Sequence, residues 1–409
     1  MVYLSIDLDA FYCAVEEHYD LSLQGEPFCV YQKQVVCTLS YAARALGIKK
    51  LANAQQVRAA YPTMRMINGE SLSRYRAAGV MLLNWLRAIV KSPIERLGLE
   101  EMRCDVSAAV SRCIDGMKVQ QLPVGELPDE AADGINVQFW DTDIELGDFF
   151  FGFNGKTVPP GFDRYARGRD NLEYYLAGHM AQYIQEKMRL DTGYSCSIGV
   201  GSSISLAKMV CGANKPGGVS VLWPGHEQVF MDVQPLSRLP GFGSKSRAAL
   251  AGHGYEASWT VKDMHENIDE PQFLRILPKE LWDLTWCKEQ TRLTNWTRPS
   301  QISVEETWPA PLPLSQIPIE LDKLLDSLIS QAKIDIVQDG VWLVHPSHVR
   351  VAVIRYGEPS RQSRSQRLTL QPDSSQFAKQ VSRTALRLAT EVAKSPIRLL
   401  NIAFIFPSS

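Results

Sequence analysis

The segment that most limits what this chain can fold into is its first one, Val2-Tyr3-Leu4-Ser5-Ile6-Asp7-Leu8-Asp9. Alternation with period two predicts a β-strand, with Leu4, Ile6 and Leu8 on one face and Asp7 and Asp9 on the other. Two carboxylates on one face of an apolar strand repel each other and lose hydration, so such a strand calls for a compensating cation. A second piece points the same way. Ser92 to Ser107 reads as two short strands around a tight bend, and Glu100 and Glu101 sit at that bend. If this hairpin pairs beside the first strand, three or four carboxylates converge, which is what two-metal phosphoryl transfer needs. Magnesium accepts few carboxylates and takes its remaining ligands from substrate phosphates.

Phosphates in turn need cations. Tyr41-Ala42-Ala43-Arg44, Lys208 and Lys215-Pro216-Gly217-Gly218 are the candidates, Arg as a bidentate fork and Lys as a point charge. Leu239-Pro240-Gly241-Phe242-Gly243-Ser244-Lys245-Ser246 is a different device. Pro and two Gly at a helix start expose backbone N–H groups that cradle a phosphate without reading bases.

Total charge hides this character. The 43 basic and 45 acidic residues of the 409-residue chain leave a net charge of -2. From Arg350 onward, however, ten Lys or Arg face only Glu358, Asp373 and Glu391, which is +7 and leaves -9 for the rest. A module so lopsided is a candidate for phosphate binding. Asp115 to Asp148 carries nine carboxylates and only Lys118, and reads as an acidic loop-rich insertion. The 8 cysteines are scattered with no C-x-x-C pair, as expected of thiols in a reducing compartment. His345 and His348 read as surface histidines. No stretch reads as a signal peptide or a membrane span, so an intracellular chain is expected.

Length predicts two to four domains. Pro-containing joints fall near Pro235 to Pro240 and at Trp308-Pro309-Ala310-Pro311-Leu312-Pro313, with short helices expected over His253 to Lys288. The last hundred residues read as strand, helix (Leu321 to Ile334), strand (Val349 to Tyr356), strand (Arg361 to Leu370), helix (Phe377 to Val392) and strand (Leu399 to Phe406).

Taken in order, these motifs resemble the Y-family translesion DNA polymerases. The likeness begins at Ser5-Ile6-Asp7-Leu8-Asp9-Ala10-Phe11-Tyr12 and continues through Gln32-Lys33, Tyr41 to Arg44, Leu46 to Leu51, Ile67 to Glu70 and Glu95 to Gly98. Leu206-Ala207-Lys208, Lys215-Pro216, Leu239 to Gly243, Val304-Glu305-Glu306 and Val337 to Gly340 extend it over the whole chain except the acidic stretch. The resemblance implies an α+β right-hand polymerase: a palm over 1–10 and 72–230 with the insertion at about 115–160, fingers over 11–71, a thumb over 231–290 and a little finger over 300–409. It implies a DNA-directed DNA polymerase with two Mg2+ ions, Mn2+ being the alternative. Asp7, Glu100 and the Leu8 carbonyl would hold the metals, with Glu101 completing the catalytic set. Phe11, the steric gate Tyr12, Tyr41, Arg44 and Lys215 would bind the nucleotide. Gln32, Lys33 and Val35 would cover the templating base. Gly241, Gly243, Lys245, Arg350, Arg355, Arg361, Arg364 and Arg367 would bind DNA. The implied partners are primer-template DNA and a deoxynucleoside triphosphate in the nucleus, and a sliding clamp or other translesion factors through regions outside this sequence.

Two departures matter. Glu100 stands where the family has Asp, and its extra methylene disturbs a site that tolerates about 0.5 Å. Met102-Arg103 adds a positive charge beside it. The alternative is therefore a weak or inactive DNA-binding scaffold of the same fold. A nucleotide cyclase with a similar palm is disfavoured by the basic tail and the thumb-like turn.

Overall fold

The computed structural model describes residues 1–116, 156–158 and 169–407, apart from 257, 290–292, 294–298, 339, 370–371 and 373–375. Nearly all of the acidic stretch lies outside the described residues. The chain divides into two compact units, Met1–Glu70 with Met81–Asn295, and Ser71–Val80 with Trp296–Ser409.

In the first unit the alternating segment forms β1 (Tyr3–Leu8), followed by α1 (Phe11–Tyr19). The strands β2 (Phe28–Gln32), β3 (Val35–Leu39) and β4 (Arg65–Asn68) make a small sheet ordered β3-β2-β4. Helices α2 (Tyr41–Ala45) and α3 (Ala54–Ala60) accompany it, over a core that includes Cys29, Val36, Leu39, Ala43 and Ile48. Next come α4 (Ser73–Ile89), whose first turns belong to the second unit, then β5 (Ile94–Leu97), β6 (Glu101–Asp105) and α5 (Ser107–Gly116). After β7 (Lys156–Val158) and α6 (Arg169–Thr192) follow β8 (Cys196–Gly201), α7 (Ile204–Cys211) and β9 (Val219–Leu222).

These strands form one sheet in the order β5-β6-β1-β8-β9-β7. The hairpin β5–β6 pairs beside β1, as the carboxylate pattern required, and β1 runs antiparallel to both β6 and β8. The glycine-containing sequence of β8 sets how close its helix can come. A Cβ on Gly199 would stand 2.0 Å from the Ala207 carbonyl oxygen and 2.5 Å from the Cys211 nitrogen. Helix α7 therefore lies on the β1 face that carries Tyr3, which packs with Ile204 and Ala207.

Short helices follow: α8 (Glu227–Asp232) and α9 (Ser244–Ala251), then, within the span expected to hold them, α10 (Val261–Asn267), α11 (Glu270–Leu274) and α12 (Lys279–Thr285). Capping boxes start two of them, Thr260 with Asp263 and Asp269 with Gln272. Leu239, Phe242, Val261, Met264 and Phe273 bury against Leu206 and Val210 of α7.

The second unit contains β10 (Gln301–Leu312), α13 (Ile317–Ile336), the small hairpin β11 (Val337–Gln338) and β12 (Val341–Trp342), then β13 (His348–Arg355), β14 (Arg361–Arg367), α14 (Phe377–Val392) and β15 (Ile397–Ile405). The strand-helix-strand-strand-helix-strand order is the one expected, with the small hairpin added. The four long strands pair antiparallel as β10-β15-β13-β14. Both helices cover one face, where Leu321, Leu328, Val381 and Leu388 meet Val349, Val351, Val353 and Ile402. Arg76 of α4 joins this unit by donating to Gln331 at 3.0 Å and to Asp335. Among the described residues no helix is long and apolar enough to cross a membrane.

Candidate functional site

The register of the large sheet brings the predicted carboxylates together. Asp7 lies directly across from Glu101, and the Leu8 amide donates to the Glu100 carbonyl at 3.1 Å, which fixes the bend against the end of β1. Each outer carboxylate faces a cation. Lys215 donates to Asp7, Lys208 donates to Glu101, and Arg103 adds Nε and Nη2 bonds to Glu101 at 3.3 and 3.2 Å. The Glu100 carboxyl has no hydrogen-bond partner among the described residues. Burial raises its pKa above the ordinary 4.5; Lys50 opposes the shift, and the Asp7 charge reinforces it. For Lys215, burial disfavours the ammonium, but the Asp7 carboxylate outweighs it and the pKa rises.

The raised Glu100 pKa has a consequence for stability. Below 4.5 the folded and unfolded chains both carry this proton; just above it only the folded chain does. Folding stability therefore falls as pH rises through the interval between the two pKa values. Glu100→Gln, which does not titrate, is expected to escape this loss. Urea denaturation of both proteins from below 4.5 to neutrality measures it. Parallel pH responses would contradict the assignment.

Asp9 departs from the face it was expected to share with Asp7. Strand β1 ends at Leu8, and Ala10 takes a left-handed conformation at φ 45°. The Asp9 side chain, only 5% exposed, accepts from Ser195 Oγ at 2.9 Å, Ser197 Oγ at 2.8 Å, the Gly217 amide at 2.8 Å and Tyr41 Oη at 3.4 Å. Its charge is satisfied internally, and it acts as a joint between segments.

Carboxylates and cations line a cleft of about 410 Å³, among them Asp7, Glu100, Phe11, Tyr41, Arg44, Lys50 and Lys215. Ser40 caps α2 by accepting from the Ala43 amide, and its hydroxyl also donates to Glu26 and accepts from the Phe28 amide. This ties Tyr41 and Arg44 to the small sheet. The Arg44 guanidinium rests 4.5 Å from the Tyr41 ring centroid and donates to the Leu39 carbonyl. Burial raises the Tyr41 pKa, and the Asp9 charge adds to it. Tyr12 is half-buried, with its ring centroid 5.9 Å from that of Phe11. Lys50 was not singled out from sequence; only its place in a basic Lys49-Lys50 pair near Arg44 hinted at it.

Other expected residues lie elsewhere. Gln32 donates to the Gly69 carbonyl at 2.8 Å, the Lys33 amide donates to Glu70 at 3.0 Å, and Val35 is exposed at the start of β3. They mark the tip of the β2–β3 hairpin and do not line the cleft. In the glycine turn, Gly241 has φ +84°, and a Cβ there would meet Leu281 at 2.4 Å. Gly243 is the N-cap of α9 and Lys245 lies in its first turn. The five arginines expected to bind DNA separate: Arg350, Arg361 and Arg367 share the face away from the helices. Arg364 pairs with the helix-facing Val351, and Arg355 donates to Val392 at the end of α14.

Three carboxylates at adjoining strand ends supply the hard oxygen donors that divalent cations of the magnesium class prefer. By donor chemistry the set fits such ions. As the side chains stand, lysine ammonium groups hold two of the three, and no metal-binding group of three His, Cys, Asp or Glu is formed among the described residues.

Residues 6–212 match the impB/mucB/samB family. The chain is 26% identical to DNA polymerase iota of Mus musculus over 366 residues, 89% of this chain and 46% of that protein. It is 26% identical to the Homo sapiens DNA polymerase iota over 368 residues, 90% and 45% respectively. DNA polymerase IV of Halorhodospira halophila is 27% identical over 271 residues. The chain thus spans about half the length of the iota relatives it matches. A solved Y-family DNA polymerase chimera superposes with a TM-score of 0.64 at 18% identity, covering 99% of this chain and 98% of its own, which establishes the α+β polymerase fold.

Proposed function

The chain belongs to the impB/mucB/samB family of Y-family polymerases, and from that premise we propose that it is a DNA-directed DNA polymerase of translesion synthesis. A primer 3′-hydroxyl attacks the α-phosphate of a deoxynucleoside triphosphate, and pyrophosphate leaves. The observation that carries this reading is the juxtaposition of Asp7 and Glu100 with Arg44, Lys50 and Lys215 around one cleft, with Glu101 across from Asp7 in the sheet. Carboxylates and cations around one cleft suit a triphosphate whose reacting end must face the acids.

Asp7, Glu100 and the Leu8 carbonyl would hold two divalent ions, with Glu101 completing the set. Bound there, such ions neutralise phosphate charge and activate the attacking hydroxyl. The chain's own residues do the rest. Arg44, stacked on Tyr41, is pre-oriented as a phosphate fork, and Lys50 and Lys215 add point charges. Phe11 gives the cleft an apolar wall for the sugar, and Tyr12 beside it would exclude a 2′-hydroxyl. Gln32, Lys33 and Val35 are assigned to the templating base, and Gly241, Gly243, Lys245, Arg350, Arg361 and Arg367 to the DNA backbone. The palm, fingers, thumb and little-finger divisions belong to the same proposal. So does a nuclear location, which rests on the likeness to the mammalian iota polymerases.

Primer extension by the purified protein, with Mg2+ and with Mn2+, tests the reading. No incorporation with either ion, by protein that binds the duplex, would overturn it. Lys50→Ala is expected to raise KM for the triphosphate about tenfold with a smaller change in kcat; steady-state incorporation kinetics checks this. The second reading, a DNA-binding scaffold, is favoured by one observation: Glu101 is already engaged by Lys208 and Arg103. An inactive wild type restored by Glu100→Asp would support it.

A further inference from the structure

The open face of the second unit carries a contact that its charge does not call for. In the observed register, Glu305 of β10 lies across from Asn401 of β15, Asn401 from Ala352 of β13, and Ala352 from Ser363 of β14. β10 and β14 are the two edges, so about 14 Å of sheet separates them at ordinary strand spacing. Arg361 of β14 nevertheless reaches Glu305 at 2.5 Å. Beside it, Arg350 of β13 donates to Gln301 of β10 at 3.0 Å. The long side chains reach across the middle strands, where the face includes the small residues Ala352 and Ala403 beside Ile354 and Leu399. Ala352 and Ala403 are 1% and 0% exposed, although they point away from both helices. Asn401 is 3% exposed, donates to the Val304 carbonyl, and leaves its Oδ1 buried without a hydrogen-bond partner.

A carboxylate that is alone among the described strand residues of a face shared by Arg350, Arg361 and Arg367 has the wrong sign for a surface that meets phosphates. It has the right chemistry to stand in for one, because carboxylate and phosphate occupy the same seat on a guanidinium. We infer that Glu305 is a built-in phosphate surrogate that draws Arg361 across the open face in the free protein and must be exchanged for a DNA phosphate on binding. The exchange lowers affinity for nucleic acid and keeps release easy. It also uncovers Asn401, whose spare acceptor then meets water or a donor of the ligand. This inference rests on the polymerase reading for the identity of the polyanion.

The test is equilibrium binding of a fluorescent primer-template duplex, by anisotropy over a range of salt, to the full chain and its variants. Glu305→Gln is expected to bind about three- to tenfold tighter, with a salt slope steeper by about 0.9, the value of one added phosphate contact. Glu391→Gln makes the same change in net charge and also takes a carboxylate from an arginine, Arg387 on α14, which keeps its contact with Gln366. It is expected to bind as wild type does. Arg361→Ala is expected to weaken binding, and adding Glu305→Gln to it should bring no further gain, since the two residues act as a pair. Glu305→Gln binding no tighter than Glu391→Gln would overturn the inference while leaving the polymerase reading intact. Failure of wild type and Glu305→Gln alike to bind the duplex would instead remove the polymerase reading, and this inference with it.

Discussion

Asp7→Ala is expected to lower primer extension by about three orders of magnitude, the scale seen when one preorganised charge-stabilising group is lost. Asp7 is the next-to-last residue of β1 in the interior of the large sheet, held between Glu101 and Ser197. Its position follows from two ladders and not from a loop, so no neighbouring carboxylate can take its place. Its removal also leaves Lys215 without the carboxylate that favours its charge. The fold should survive. The Asp7 and Lys215 side chains are 32% and 30% exposed, and an ion pair this solvated contributes within about 1 kcal/mol. Single-turnover incorporation beside a thermal melt separates the two effects. Extension within tenfold of wild type, with Tm unchanged, would remove Asp7 from the chemistry.

Gly199→Ala is expected to do the reverse, removing no charged group while destabilising the fold by about 3 kcal/mol or more. The added Cβ meets the Ala207 carbonyl oxygen at 2.0 Å and the Cys211 nitrogen and Cα at 2.5 and 2.8 Å. All three are backbone atoms of α7, so no rotamer change relieves the clash; the helix must lift off β8. Lys208 rides on that helix, so its contact with Glu101 would loosen as well. Gly212→Ala is the control, since a Cβ there meets nothing within 4 Å and its backbone is helical. Calorimetry of both variants decides the matter: a Gly199→Ala melting temperature within a few degrees of the Gly212→Ala value would contradict the packing argument.

Much of this site is readable before folding, and the reasons are physical. Period-two alternation of side chains fixes which face of β1 carries Asp7, and the bend at Glu100 and Glu101 needs only a neighbouring strand to complete the cluster. The long helix from Phe377 to Val392 and the strands around it were legible because their periodicity runs over many residues. What escaped depends on events that local pattern does not encode. Asp9 shares its parity with Asp7, but the chain leaves the strand at Leu8 and turns through a left-handed Ala10, which sends the second carboxylate to Ser195 and Ser197. Arg364 and Arg361 look alike in sequence; only pairing with Val351 and Ile354 puts them on opposite faces. Lys50 follows a helix it does not belong to, and its approach to Glu100 is a tertiary fact. The lysines that engage Asp7 and Glu101 come from more than a hundred residues away.

That distance also bears on how the protein is made. β1 obtains its partners from residues 101–105 on one side and 196–201 on the other. A ribosome adding about 5–20 residues per second needs roughly 10–40 s to deliver the second partner after the first strand has emerged. Throughout that time an apolar strand stays open on at least one edge, the form of chain most prone to pair with a stranger. Asp7, near the end of that strand, is also a charge on its open edge, and such charges are what blunts unwanted pairing during synthesis.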